Sequence, residues 1–173
     1  MQLFHEKTIR IIKRNLPNLE SKLKVKIIIK HHQISLEGKE EDKYTAEKVL
    51  AAMGRNFEIN TAFILLEPDY IFEELPIKNF TRKKDLATVR ARIIGTKGRT
   101  LQLLEELSGC YLTLIDNVVS IIGPSDKIRE VTTAVQVLIK GSKQANVYSY
   151  LEKYAHQTRP ENIGLKINFK KDS

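Results

Sequence analysis

Apolar positions along this chain switch repeatedly between a period near 3.6 and a period of 2. From Asp85 to Ile94, Leu86, Val89, Ile93 and Ile94 fall at helical spacing, and from Arg99 to Ser108, Leu101, Leu104 and Leu107 share one face with Gly109 at the stop. The rhythm then alternates: Tyr111 to Ile115 and Val118 to Ile122 read as strands joined by a turn at Asp116-Asn117. A further helix opens at Ser125, an N-cap candidate, with Ile128, Val131, Ala134, Val135, Leu138 and Ile139 as its buried stripe and Gly141 as its end. Asp69 to Ile77 supplies a preceding strand.

The same rhythm occurs earlier. A shift of 85 residues lays Val25, Ile27 and Ile29 on Cys110, Leu112 and Leu114, Ile34, Leu36 and Gly38 on Val119, Ile121 and Gly123, and Ala46, Val49, Leu50 and Met53 on Val131, Ala134, Val135 and Leu138. Shared spacing through both periods points to two copies of one unit. Between them lie Met53-Gly54-Arg55-Asn56-Phe57, an apolar run from Ile59 to Leu66 that predicts a short helix, and a break at Glu67-Pro68-Asp69. So apolar a connector is expected to tie the units together rather than act as a free linker.

Between the two helices of the second copy stands Ile94-Gly95-Thr96-Lys97-Gly98-Arg99. A G-x-x-G is weak alone in a chain with 8 glycines, and its position between two amphipathic helices gives it weight. Glycines let another backbone approach closely, the first-turn N–H groups of the next helix favour an anion, and Lys97 and Arg99 add full charges. Strand, helix, G-x-x-G, helix, strand, strand, helix is the plan of a KH domain of eukaryotic type, which grips about four nucleotides of single strand at such a loop. The expected fold is α+β, two tandem type I KH domains packed together. The spans are 1–68 for a first domain with its connector helix, 69–156 for a second with the loop, and 157–173 for a tail.

There is no glycine before Gly38, so the first copy lacks the loop. Matching Ile11-Ile12 to Ile93-Ile94 puts Lys13-Arg14-Asn15-Leu16 where the second copy has Gly-Thr-Lys-Gly. The expectation is a degenerate first domain offering a protein-binding or weak RNA-binding surface, with Lys13, Arg14, Lys22, Lys24 and Lys26 available for nonspecific phosphate contact. In the second domain the expected RNA-binding residues are Arg92, Ile94, Gly95, Thr96, Lys97, Gly98, Arg99, Leu112 and Leu114. The loop holds phosphates, and the aliphatic side chains of Ile94, Leu112 and Leu114 floor a groove for bases or serve as plain core.

Charge agrees with an acidic partner. The 173 residues carry formal charge +8, of which residues 1–70 supply +2 and 71–173 supply +6. Eight basic residues lie from Lys78 to Arg99 against one acid, Asp85. A single cysteine, Cys110, excludes an internal disulfide and a multi-cysteine metal site, and is expected to be buried. His31-His32 sits in a turn with no ligand cluster, and no Ser or Cys has a His and acid beside it, so neither metal, cofactor nor catalysis is expected. No run reaches the length of a membrane span, and Met1-Gln2-Leu3-Phe4-His5-Glu6 lacks the order of a signal peptide, so the expectation is a cytoplasmic protein with no membrane partner.

Four features together resemble the family of two-KH ribosome-assembly proteins related to the eukaryotic pre-rRNA processing factor partner of Nob, in its archaeal form. They are the first domain without its glycines; Gly54-Arg55-x-Phe57 with the helix through Ala62, Leu65 and Leu66; Arg92-Ile93-Ile94-Gly95-x-Lys97-Gly98-Arg99-Thr100 followed by Glu105-Glu106-Leu107-Ser108-Gly109; and Leu138-Ile139-x-Gly141 leading to Val147-Tyr148-x-x-Leu151-Glu152. The resemblance implies a non-catalytic protein that binds single-stranded small-subunit rRNA near its 3′ end during maturation and contacts the PIN-domain endonuclease that trims it. Archaeal relatives often keep glycines in the first domain, and this chain departs from them there. Two other classes stay open: a KH protein of RNA decay or transcription, and an interaction scaffold with a vestigial loop. Gly164 to Phe169 in the tail is read as an added strand, a partner-binding peptide or a disordered end.

Overall fold

The computed structural model describes residues 2–157, and the tail readings lie outside the described residues. The chain traces one path twice. First come β1 (Gln2–Leu3), α1 (Glu6–Arg14), α2 (Leu16–Leu23), β2 (Lys26–Lys30), β3 (Gln33–Glu37), α3 (Glu40–Gly54) and α4 (Ile59–Phe63), the last prolonged by a 3-10 turn, Ile64–Leu66. Then follow β4 (Tyr70–Pro76), α5 (Leu86–Ile94), α6 (Arg99–Ser108), β5 (Tyr111–Ile115), β6 (Val118–Pro124), α7 (Ser125–Lys140) and α8 (Gln144–Gln157). Each copy has a three-stranded antiparallel sheet with its last strand in the middle, β1-β3-β2 and β4-β6-β5.

The shift of 85 is written into individual bonds. Glu20 Oε1 accepts from the Ile27 N–H at 2.8 Å, and Glu105 Oε1 accepts from the Leu112 N–H at 2.7 Å, so one carboxylate pins the second helix to the second strand in both copies. Lys24 (φ 55) and Gly109 (φ 67) both end that helix in the left-handed region, His31 (φ 56) and Asp116 (φ 50) both open the strand turn, and Asn56 (φ 65) and Gly141 (φ 116) both follow the third helix. The connector helix α4 is therefore the first copy's counterpart of α8, since Ile59 and Gln144 are themselves 85 apart.

Elsewhere the copies part. The Phe4 N–H donates to His32 O at 3.0 Å as Ile77 N–H donates to Asn117 O at 2.8 Å, which makes Phe4 and Ile77 equivalent. After Phe4 one residue leads to α1, whereas the basic stretch 78–85 precedes α5. Burial pairs Thr8 and Ile12 of α1 with Val89 and Ile93 of α5, one residue off the sequence match of Ile11-Ile12 to Ile93-Ile94. Only Asn15 separates α1 from α2. Ser125, expected as an N-cap, is instead the first helical residue of α7 after Pro124.

Two cores result. Leu75, Val89, Ile93, Leu104, Leu112, Val119, Ile121 and the stripe of α7 fill the second, joined by Val147 and Leu151 of α8. Ile122, on the opposite face of β6, belongs to the first core with Phe57, Phe63 and Leu65, and Phe72 of β4 meets Phe57 edge-on at 6.3 Å. Arg55 forms an ion pair with Glu74 across the same junction. The first copy thus covers the sheet face that the second copy's helices leave bare. Cys110 is buried, and burial raises its thiol pKa above the ordinary value.

Ile121 and Ile122 are both fully buried but in different cores. Truncation of either to Ala should cost about 2–5 kcal/mol. Only Ile122→Ala should also uncouple the two copies, giving separated transitions in urea when followed by Tyr probes in each; a single concerted transition for both variants would contradict the shared-face account.

Candidate nucleic-acid interface

Helix α5 starts at a strong cap. Asp85 accepts from the N–H groups of Ala87 at 3.0 Å and Thr88 at 3.3 Å and from the Thr88 hydroxyl, and these bonds, the Thr88 side chain first, hold its carboxyl below the usual range. The helix ends at Gly95 (φ 73, ψ 173), a backbone state closed to residues with a Cβ. A turn follows in which Gly98 N–H donates to Gly95 O at 3.2 Å and Arg99 N–H to Thr96 O, before α6 begins. The N–H groups of Thr96 and Lys97, at the exposed tip, are the backbone donors this loop can offer an anion.

The two glycines do different work. A Cβ on Gly95 would stand 2.1 Å from Thr100 Oγ1 and 2.7 Å from the Thr100 backbone N, so this glycine serves close packing within the chain. A Cβ on Gly98 would meet nothing within 4 Å, so only here is the space open to a ligand. Thr100 is buried, and its hydroxyl accepts from Gln144 Nε2 at 2.7 Å, while that amide also donates to Arg92 O at 3.1 Å. Helix α8 is thereby bonded to both sides of the loop. Thr100 and Gln144 were missed in the sequence because neither carries charge; the signal for Thr100 was its place directly after the motif.

The expected site residues divide by position. Thr96, Lys97 and Arg99 are exposed at the tip, and Ile94 is 38% exposed beside it. Leu112 is 4% exposed and lies in the second core, with Leu114 half-buried against it, so these two shape the wall from beneath. Arg90 reaches Asn117 at the turn between β5 and β6. Arg92, two residues on and so on the other side of the helix, turns toward Gly141 and Gln144.

The first copy has nothing to match this loop. Asn15 donates its N–H to Ile11 O and Ile12 O and its side-chain amide to Ile11 O, and Pro17 in the first turn of α2 has no N–H to offer. Of the basic residues there, Lys22 lies over the Phe63 ring at 4.4 Å and Lys26 pairs with Glu37 at 3.9 Å.

Two units of one plan, the second carrying a glycine loop between its first two helices, define a protein of KH-type fold. Residues 71–156 match the family model described as eukaryotic type KH-domain (KH-domain type I). Dim2p from Pyrococcus horikoshii is 29% identical, with 88% of this chain and 96% of that one covered at a TM-score of 0.80. A chain in the a/eIF2alpha–aDim2p–rRNA complex from the same organism is 30% identical over 90% and 93%, TM-score 0.81. A protein of unknown function from Aeropyrum pernix, 22% identical, shares the fold at 0.82 over 91% and 89%. A KH domain-containing protein of Methanocaldococcus jannaschii is 26% identical over 111 residues, 64% of this chain and about half (49%) of that protein's length. The chain belongs to the partner-of-Nob family of KH proteins, which includes archaeal Dim2p.

Gly98→Ala should cost about 1–2 kcal/mol from the left-handed backbone alone. Gly95→Ala should cost clearly more, because Thr100 must move and its bond to Gln144 must break. Urea unfolding measures both, and equal losses would contradict the internal role assigned to Gly95.

Proposed function

We propose that this chain binds single-stranded small-subunit rRNA through the loop between α5 and α6, acts near the rRNA 3′ end during subunit assembly, and performs no catalysis. The observation that carries the reading is the open space over Gly98 at a tip where Thr96 and Lys97 are exposed. The N-terminus of α6, ten residues long, adds its partial positive charge there. The relative in the complex with rRNA and a/eIF2alpha supports RNA as the ligand class. In this reading residues 69–156 carry RNA binding, and residues 1–68 cover the sheet and present a protein-binding surface, the PIN-domain endonuclease being the partner of choice.

Thr96→Asp with Lys97→Asp tests it. Both side chains are exposed, and Asp tolerates the left-handed backbone of position 97 (φ 53), so melting should stay within about 1 °C of the parent. Two carboxylates now stand where phosphates must sit, so affinity for single-stranded RNA should fall at least about 30-fold. In the parent, log affinity should fall with log salt by about 0.7 per phosphate contact, and the variant should show a shallower slope. Unchanged RNA affinity in a normally folded variant would remove the loop from the RNA site. Crosslinking in cells with the bound RNA sequenced checks the process: enrichment away from small-subunit rRNA would defeat the assembly reading.

A further inference from the structure

The two copies contain one cleft each at matching positions, and the clefts have opposite chemistry. In the second copy a cleft of about 380 Å³ is lined by Arg92, Gly141, Ser142, Lys143 and Gln144. In the first, a cleft of about 360 Å³ lies between α1 and the start of α4, and its Asn56, Phe57, Glu58 and Ile59 are the residues 85 positions earlier. The burial match of α1 to α5 puts Ile11, which lines that cleft, in the place of Arg92. An apolar cleft whose one acid, Glu58, is offset by Lys7 therefore corresponds to a cleft with two cations and no acid.

Arg92 is held there without a protein anion. Its Nη1 is shut off from solvent with no hydrogen-bond partner, against Gly141, where a Cβ would come within 3.1 Å of it. Among the described residues neither Arg92 nor Lys143 has a carboxylate within ion-pair distance. A guanidinium fixed by packing, with a free ammonium beside it, favours a phosphate. The Gln144 amide, bonded to Arg92 O and Thr100 Oγ1, ties this cleft to the exit of the G-x-x-G loop. Arg90 and Arg92 leave α5 on opposite sides, so the cleft lies across the helix from the turn between β5 and β6, with the loop at the helix end between them.

We propose that this cleft is a second phosphate seat, which takes the RNA backbone just beyond the nucleotides held by the loop. It rests on the RNA-binding reading above and adds helix α8 to the RNA path. At the positions of Arg92 and Lys143 the first copy has Ile11 and Glu58, so cations without an acid beside them occur in the copy that has the loop, which ties their presence to the loop's ligand. A strand long enough to pass over the loop gains the second contact; a strand of four or five nucleotides confined to the loop does not.

The experiment uses the full chain and Lys143→Glu, a change at an exposed position that should leave melting unchanged. Binding is measured for single-stranded oligoribonucleotides of one repeating sequence, five and twelve nucleotides long. The twelve-nucleotide RNA should bind roughly three- to tenfold more weakly to K143E, with a salt slope shallower by about 0.7, while the five-nucleotide RNA is unaffected and Lys143→Arg restores the parent affinity. Equal affinity of K143E and parent for the longer RNA would overturn the proposal, and so would an equal loss for both lengths. Should millimolar inorganic phosphate shift the amide signals of Lys143 and Gln144 while K143E keeps full RNA affinity, the cleft would be an anion site off the RNA path and the proposal fails. The loop substitutions at Thr96 and Lys97 separate the two readings: if they leave RNA affinity unchanged, the loop reading falls and the seat beyond it falls with it, whereas if they weaken RNA binding and K143E does not, the loop reading stands and the seat alone is overturned.

Discussion

A three-stranded sheet with helices on one face leaves the other face bare, and the way that face is closed sets the architecture here. In the second copy β6 is buried from both directions: Val119 and Ile121 face the helices of their own unit, and Ile122 faces Phe57, Phe63 and Leu65 of the first. Among the described residues the first sheet meets no such cover, and β3 keeps polar residues outward, as in Gln33-Ile34-Ser35-Leu36-Glu37. Apolar burial of this kind is the largest favourable term in folding. It gives a reason for a domain without its own loop to persist in the chain, because the loop-bearing domain cannot keep Ile122 and Phe72 out of water by itself.

From that base the loop is held by a short relay. Gly95 permits Thr100 to come close, Thr100 accepts from Gln144, and Gln144 reaches back to Arg92 O on the helix before the loop. Helix α8 in turn is anchored by Val147 and Leu151 in the second core and by the Tyr154 hydroxyl on Asp126 O at 2.7 Å. The tip of the loop, with Lys97 in the left-handed region, is thus fixed from behind by three helices while its front stays open. A site held this way loses little conformational freedom when an anion docks, which is what favours binding through a few backbone donors.

Much of this was legible from periodicity. Helix α6, strand β5 and the turns at His31-His32 and Asp116-Asn117 fall where the pattern put them, because each is bounded by a residue whose backbone state is fixed by its own chemistry, such as Gly109. The continuous run Val118-Val119-Ser120-Ile121-Ile122 also carried the information that β6 is buried on both faces, a signal that alternation alone would not give. Other features were hidden for physical reasons. The direction of Arg92 depends on a helix rotation that spacing fixes only relative to the core, and the equivalence of α4 and α8 was masked because Phe57 and Ile59 face Ser142 and Gln144 in the alignment. The role of Gly95 rests on a distance to Thr100 that no local pattern encodes.

The loss of the loop in the first copy was read from its lack of glycine, and the structure supplies a stronger reason. Lys24 and Asn56 keep left-handed backbone where the second copy has Gly109 and Gly141. Such a state costs an ordinary residue on the order of 1 kcal/mol, which the surrounding packing overrides. Glycine is therefore dispensable at a left-handed turn that the fold already enforces, and its absence does not by itself abolish one. The first copy has no phosphate loop because the chain between α1 and α2 is shortened to Asn15, so no residues remain to project N–H groups outward. Restoring glycines to that junction would not restore a loop, since length, and with it the open space that Gly98 has in the second copy, is what was removed.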